Sequence, residues 1–508
     1  MKHLARNVLG LLCCSALLGP VAPAHAAEAA DQAVQLARDA ARADRHLEAI
    51  AAFGRAVQAA PQRRQEWLQE WADQHTWAGR LDEAIGLYRE AEANEDPAAR
   101  IRARLGMARA LSWAGRHGLA VAQYESVLRE QPSDQEARRG LGRVLSWLGR
   151  HREAASVMRQ FLQDHPHDRE ATLILAESLS WMGRGDRALP VLRAQVATDA
   201  GDLRAAKLLK QLERDMRPQT ALDYRDFNQS DGLTIRDVSL AAMQSLADGR
   251  GSFGARLGAT RFIPPGGTAN TIEVVRPGLQ GRWRLNDAFE WNGRVGVDLI
   301  NAAHNTGEAS RLVHDTYLTW WPNDLLRFDL SSARRLFDSE FAVRNGLTIT
   351  QTQFSVDLLP DDLTRYSLRT VDSRVSDGNR GNGWQFVAER RVWNEPRIHL
   401  GVRHNRFGFS QPGQTGYFNP EDYRSNEVTL QASGWLAQGL RWQVAGATGQ
   451  ENVRPGDERP IRSASVRLTW EATVNLSVEA AYDHSTSRTL ATGGFSRGIA
   501  RLSLQYRH

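Results

Sequence analysis

After Pro218 the chain alternates apolar and polar residues with a period of two, a pattern that admits only strands with one dry and one wet face. Phe289, Trp291, Val295, Val297 and Leu299 alternate with Glu290, Asn292, Arg294 and Asp298. Ala464, Val466, Leu468 and Trp470 alternate with Ser465, Arg467, Thr469 and Glu471, and the stretch from Val474 to Asp483 does the same. A soluble sandwich would alternate in this way too, so the connections decide. About sixteen such segments fit into about 290 residues, each near the roughly 9–11 residues that a tilted strand needs to cross hydrocarbon. Short turns are expected at Asn286, Pro322–Asp324, Pro360–Asp362, Asn394–Pro396, Ala437–Gly439 and Glu471–Thr473. Between them, long polar loops are expected at Asn301–Ser310, Arg335–Gly346, Ser410–Ser425 and Asn452–Ser463. Short turns on one side and long loops on the other predict a closed antiparallel transmembrane barrel of about 16 strands. Trp320, Trp321, Trp393, Trp435 and Tyr506 stand near strand ends, where an aromatic girdle would lie.

In this register the wet face carries Arg282, Arg284, Glu290, Arg294, Asp298, Arg327, Asp329, Arg365, Arg369, Glu389, Arg391, Arg403, Glu479 and Asp483. Rows of donors and acceptors can hold a hydroxyl-rich polymer weakly at many sites, as conduction requires. They also brace a wet wall through Arg–carboxylate pairs, and spacing alone leaves both roles open. The closing strand, with Ala500, Leu502, Leu504 and Tyr506 in phase, resembles the assembly signal of outer-membrane barrels, except that Arg507 and His508 follow the aromatic residue.

The first half follows another rule. One phrase returns as Trp77-Ala-Gly-Arg80, Trp113-Ala-Gly-Arg116, Trp147-Leu-Gly-Arg150 and Trp181-Met-Gly-Arg184, and the last three tryptophans are 34 residues apart. Ala108, Gly142 and Ala176 keep the step on one helix, and Ala84, Ala120, Ala154 and Ala188 keep it on the next. Tyr88, Tyr124 and Met158 add bulk one turn later, and a worn copy runs through Arg45, Ala49, Phe53 and Pro61. This segment resembles an α-solenoid of about four to five tetratricopeptide repeats, whose stacked helix pairs share one core. The four tryptophans are expected to be packing residues, and a capping helix is expected from Asp202 to Pro218.

At the N-terminus, Lys2 and Arg6 precede an apolar run from Val8 to Leu18 and then Ala24-His25-Ala26. That order predicts a signal peptide over residues 1–26, too short in its apolar part to span a bilayer as a helix. The expected division is therefore a signal peptide at 1–26, a periplasmic repeat domain at 27–217 and an outer-membrane barrel at 218–508. Cys13 and Cys14 are the only cysteines and fall inside the signal, which leaves the mature chain without disulfides or a thiolate metal site. A net charge of +5 against 64 basic and 59 acidic residues gives no nucleic-acid footprint.

Signal peptide, repeats and sixteen-strand barrel together resemble the exopolysaccharide export porins of bacteria, those for poly-β-1,6-N-acetylglucosamine and cellulose, and also the YaiO-like outer-membrane barrels. The phrases Ser376-Asp-Gly-Asn379 and Gly416-Tyr-Phe-Asn-Pro420 are similar to loop phrases of those families. The resemblance implies export of a biofilm polysaccharide across the outer membrane. The repeats would engage the polymer or periplasmic proteins, and no cofactor or metal is implied. A YaiO-like scaffold or receptor and a passive porin remain as alternatives; a lumen plugged by loops would favour the scaffold. Two Asp/His neighbours, His314-Asp315 and Asp483-His484, are the nearest approach to catalytic chemistry. Adjacent residues of a strand point to opposite faces, so neither pair is expected to act as a dyad, and no enzyme is expected.

Overall fold

The computed structural model describes residues 23–508 except 247–248, 268–270, 302–309, 455, 457 and 488–495. The expected signal peptide falls on residues 1–26, and all but its last four lie outside the described residues. No described helix is long and apolar enough to cross a membrane.

Eleven α-helices precede the strands among the described residues: α1 Pro23–Arg42, α2 His46–Ala59, α3 Arg64–Trp77, α4 Leu81–Ala91, α5 Pro97–Trp113, α6 His117–Glu130, α7 Gln135–Trp147, α8 His151–Asp164, α9 Arg169–Trp181, α10 Gly185–Thr198 and α11 Leu203–Asp215, with a 3-10 turn at Pro61–Arg63. They pair antiparallel as tetratricopeptide repeats do, and α11 is the expected cap, with Asp202 at its N-cap accepting from the Ala205 amide. The recurring Trp-x-Gly-Arg phrase ends the first helix of the four pairs that follow α1 and α2. Its glycines, Gly79, Gly115, Gly149 and Gly183, have φ of 74°, 70°, 78° and 71°. A residue without Cβ takes that left-handed turn at no steric cost. The arginine amide then reaches back to the last free carbonyls, as Arg80 N does to His75 O at 2.9 Å and Arg184 N to Leu179 O at 2.8 Å.

The chain forms two compact units, one through Val144 and one from Leu145 to His508. In the first, Ala30, Val34, Ala37, Phe53 and Trp67 make one buried cluster. Tyr88 is fully buried and lies against Gly106. In the second, Met158, Phe161, Leu173, Ile174, Leu179, Leu189 and Leu192 pack α8 to α10 together, joined by Ala205 and Leu212 of α11. Each large apolar side chain so buried contributes about 1.5–3 kcal/mol. The small positions expected from the repeat, among them Ala84, Ala108, Ala120, Ala154, Ala176 and Ala188, are fully buried. The tryptophans are a correction. Trp77, Trp113, Trp147 and Trp181 are 54%, 41%, 50% and 75% exposed and are not core residues. As the last residue of its helix, each projects past the helix pair that the smaller residues hold together.

Sixteen strands follow among the described residues: β1 Gln219–Gln229, β2 Thr234–Ser245, β3 Gly251–Ile263, β4 Ile272–Arg284, β5 Phe289–Asn301, β6 Ser310–Trp320, β7 Leu326–Leu336, β8 Thr348–Leu358, β9 Thr364–Val375, β10 Arg380–Trp393, β11 Arg397–Phe409, β12 Asp422–Ala437, β13 Leu440–Arg454, β14 Glu458–Glu471, β15 Leu476–Ser485 and β16 Arg497–Arg507. Each pairs antiparallel with its sequence neighbours, and β1 pairs with β16 from Gln219↔Arg507 to Gln229↔Arg497, which closes the barrel. Closure leaves no free sheet edge, so the ladder donors and acceptors are met within the sheet except beside Pro277 of β4, close to the condition for a sheet to lie in hydrocarbon. Leu222, Leu240, Leu257, Leu279, Val295, Leu312, Leu330, Leu368, Val402, Val428, Val466 and Leu502 are exposed on the outer face and form its apolar band.

All six expected short turns lie at the end of the barrel that also holds Gln219 and Arg507. Loop lengths at the other end need correction. Residues 337–347 and 410–421 are long connections, but Asn452–Ser463 is not a loop, because β13 and β14 run on to Arg454 and from Glu458. Polar residues extend these strands past the length that hydrocarbon requires, and composition alone read them as a loop. Most of Asn301–Ser310 lies outside the described residues. Trp320, Trp393, Trp435 and Tyr506 are exposed at the short-turn end, as a girdle requires. Trp321 departs from it: following Trp320, it turns to the other face, where the guanidinium of Arg152 lies 4.8 Å from its ring.

Within 337–347 a short helix, α12 Glu340–Arg344, packs inward. Its Val343 is fully buried in a cluster with Phe227, Ile235, Phe262, Ile272, Val274 and Ile300, whose strands present these side chains inside the barrel.

Candidate functional site: the lumen and its short-turn mouth

All fourteen wet-face residues expected from the sequence lie opposite the exposed apolar side chains, inside the barrel. Arg294, Asp298, Arg369, Glu389, Arg403, Glu479 and Asp483 line a cavity of about 1520 Å³. Arg282, Arg284, Glu290, Arg327, Asp329, Arg365 and Arg391 sit nearer the short turns, at the strand ends. α12 and its cluster stand at the opposite end.

Cross-strand register turns most of these groups into braces. Arg294 lies opposite Asp315, with 2.6 Å between the ions, and Arg403 lies opposite Glu427 at 2.5 Å. Asp298, 2% exposed, meets Arg276 at 3.0 Å. Arg282 reaches Glu290 at 2.9 Å, Arg327 reaches Asp329 at 2.9 Å, and Arg365 reaches Asp357 at 3.2 Å. Arg284 also pairs with Glu290, Arg501 with Asp483, Arg467 with Glu479, and Arg391 with Asp362. Among the described residues, Arg369 and Glu389 are the two of the fourteen without an ion pair, which leaves them for water or cargo. Paired charges of this kind keep the wall wet and stiff without a strong net field.

Sequence reasoning missed Arg276, Asp223 and Asp237, all of which line the cavity. Their signal was present: Arg276 is in phase with Arg282 and Arg284, but Pro277 breaks the alternation beside it. Neither Asp/His neighbour pair forms a dyad. The His314 ring meets Ser332 at 3.0 Å while Asp315 faces Arg294. Among the described residues no group of three or more His, Cys, Asp or Glu side chains could hold a metal ion. The arrangement is suited to holding and guiding a polar solute.

The last repeats are built onto the mouth. Asp324, in the turn after β6, accepts the backbone amides of Arg152 and Glu153 at 3.2 and 3.0 Å, so it caps the start of α8. Arg152 also donates to the Asp287 carbonyl at 3.2 Å. Asp287, in the turn after β4, collects three guanidinium groups: Arg184, Arg187 at 2.9 Å and Arg159 at 3.4 Å. Arg184 is itself buried and held by Asp186 at 2.6 Å. Burial holds the Arg152 guanidinium below its ordinary pKa, against the pull of Asp324. The ring of Trp321 lies under Arg152 and Arg284 at 4.8 and 4.9 Å.

Residues 148–212 match the tetratricopeptide-repeat family model. No curated protein matches the chain by sequence. A solved structure described as a bacterial polysaccharide outer membrane secretin is similar over 58% of this chain and 99% of its own, with 10% identity and a TM-score of 0.47. A tetratricopeptide repeat protein from Parabacteroides merdae is similar over 36% of this chain and 72% of its own, at 18% identity and a TM-score of 0.34. MamA protein is similar over 34% of this chain and 93% of its own, at 15% identity and a TM-score of 0.31.

Proposed function

We propose that this chain is a non-enzymatic outer-membrane conduit that exports a bacterial exopolysaccharide. Residues 218–508 form the barrel, and the repeats of 27–217 stand in the periplasm, where they engage the polymer or the proteins that make and modify it. One observation carries the reading: a closed barrel with a polar, ion-paired wall around a cavity of about 1520 Å³ has the last repeats fixed at its short-turn mouth. Sixteen strands give an interior wide enough for water and an extended chain. Balanced Arg–carboxylate pairs offer many weak contacts and no deep well, so a hydroxyl-rich polymer can leave as well as bind. Deleting the gene should abolish surface and secreted glycan and leave polymer in the periplasm. Unchanged secreted glycan in the deletion strain refutes export.

The inward packing of α12 favours a second reading, a surface scaffold or receptor whose lumen is closed. Conductance separates the two, because an exporter must open and a scaffold need not.

A further inference from the structure

A tryptophan left largely in water forgoes the stabilisation of burial, and here the same exposed tryptophan ends the first helix of four successive repeats. In the first compact unit, Trp77 and Trp113 touch edge to face at 5.2 Å. In the second, Trp181 is 75% exposed and has one ring face against His151, at 5.8 Å and an interplanar angle of 5°. The stacking fixes the plane of the indole and leaves its other face to solvent. The next residues form the turn that meets the lumen: a Cβ on Gly183 would lie 2.7 Å from Arg284 Nη2 and 3.4 Å from Arg282 Nη2. Trp147 stands one turn before α8, whose Arg152 and Glu153 amides Asp324 accepts from the barrel. Trp147 and Trp181 therefore border the mouth of the barrel.

We infer that Trp181, with Trp147 beside the same mouth, is a stacking platform for the pyranose rings of a neutral polysaccharide entering the lumen. The inference rests on the export reading and deepens it. Three observations select this occupant. A residue type repeated at one position per repeat fits a ligand that is itself periodic, whereas a folded partner imposes no such identity from repeat to repeat. An indole face attracts the C–H face of a pyranose, which is apolar and faintly positive, while the sugar hydroxyls stay in water. Three of the four arginines of the phrase are paired where they stand: Arg116 with Asp82 at 2.6 Å, Arg150 with Glu153, and Arg184 with Asp186 at 2.6 Å. These three arginines are therefore already engaged and not free to grip an anion beside the rings. Burial of the His151 ring holds it below its ordinary pKa, so its partner in the stack is neutral as well.

The test uses the full-length protein in detergent, with neutral hexasaccharides of β-1,4-linked glucose and β-1,6-linked N-acetylglucosamine and an anionic hexagalacturonate. Tryptophan fluorescence and calorimetry should show one of the neutral hexasaccharides binding better than hexagalacturonate. Trp181→Ala should weaken that binding about fivefold, and Trp147→Ala should weaken it by a smaller factor. Trp181→Phe should retain most of the affinity, which separates loss of a ring from loss of fold, and circular dichroism of each variant checks the helices. Equal affinity in wild type and both alanine variants overturns the platform, as does tighter binding of the anion. Failure of both neutral sugars to bind at millimolar concentration overturns it too, as does a periplasmic protein captured through Trp181 in their place. None of these results touches export itself, which is read separately from the glycan of the deletion strain.

Discussion

Gly106 has no room for a methyl group. A Cβ there would lie 2.5 Å from Tyr88 Cζ and 2.9 Å from its hydroxyl oxygen. Tyr88 cannot yield, because it is fully buried and donates to Asp73 at 2.5 Å. Gly106→Ala should therefore lower stability by about 1–3 kcal/mol despite the better helix propensity of alanine, measured from thermal loss of the helical circular-dichroism signal. Asp202 makes a pH-dependent contact. Arg169 holds it at 2.7 and 2.8 Å, and these hydrogen bonds push its carboxyl well below the usual carboxylate range. A depressed carboxylate adds stability above its unfolded pKa of about 3.9 and loses it as pH falls toward the folded value. Protection of the α11 amides, taken relative to their intrinsic exchange rate at each pH, should be high at neutral pH and fall below about pH 4, whereas Asp202→Asn should show low protection at both. The repeat step in the sequence located the tryptophans but not their surroundings. Periodicity says that four residues are equivalent; whether they point into the core depends on the Gly-Arg turn that ends each helix just after them.

The repeat helices and the strands were legible because each carries its own period. Tertiary contacts between distant elements were not. Arg184 and Asp287 are far apart in the chain, and nothing local marks them as partners. That contact, with the cap that Asp324 gives α8, joins the last helices to the barrel, and the second compact unit begins at Leu145 rather than at the change from helix to strand near Pro218. Asp287→Ala should loosen α10 by about 1–3 kcal/mol, less than for a fully buried pair because the Asp287 carboxylate is 30% exposed. Faster tryptic cleavage at Arg187 and Arg193, with the barrel still resistant, would report it. α12 was also hidden, because a five-residue helix in a polar stretch has no periodic signature. Its hold on the lumen is apolar, so Val343→Asp should expel it and raise single-channel conductance in planar bilayers. Equal conductance in the variant and the wild type would mean that α12 does not narrow the path.

At the level of the whole molecule, alternation and short turns made the closed barrel readable, and the closing pair β1–β16 followed from an even number of strands. The cavity chemistry was half readable. Phase placed the fourteen charged residues inside, but only the three-dimensional contacts, most of them cross-strand, show that twelve are in ion pairs while, among the described residues, Arg369 and Glu389 are not. Arg369 is therefore the place to look for cargo. A photo-crosslinking amino acid at position 369, in cells that are producing polysaccharide, should capture glycan on the barrel, and the same group at Leu368, which faces outward, should capture none. Glycan at 369 alone is the result that export through this lumen requires. Abundant secreted glycan with no crosslink at 369 would contradict it.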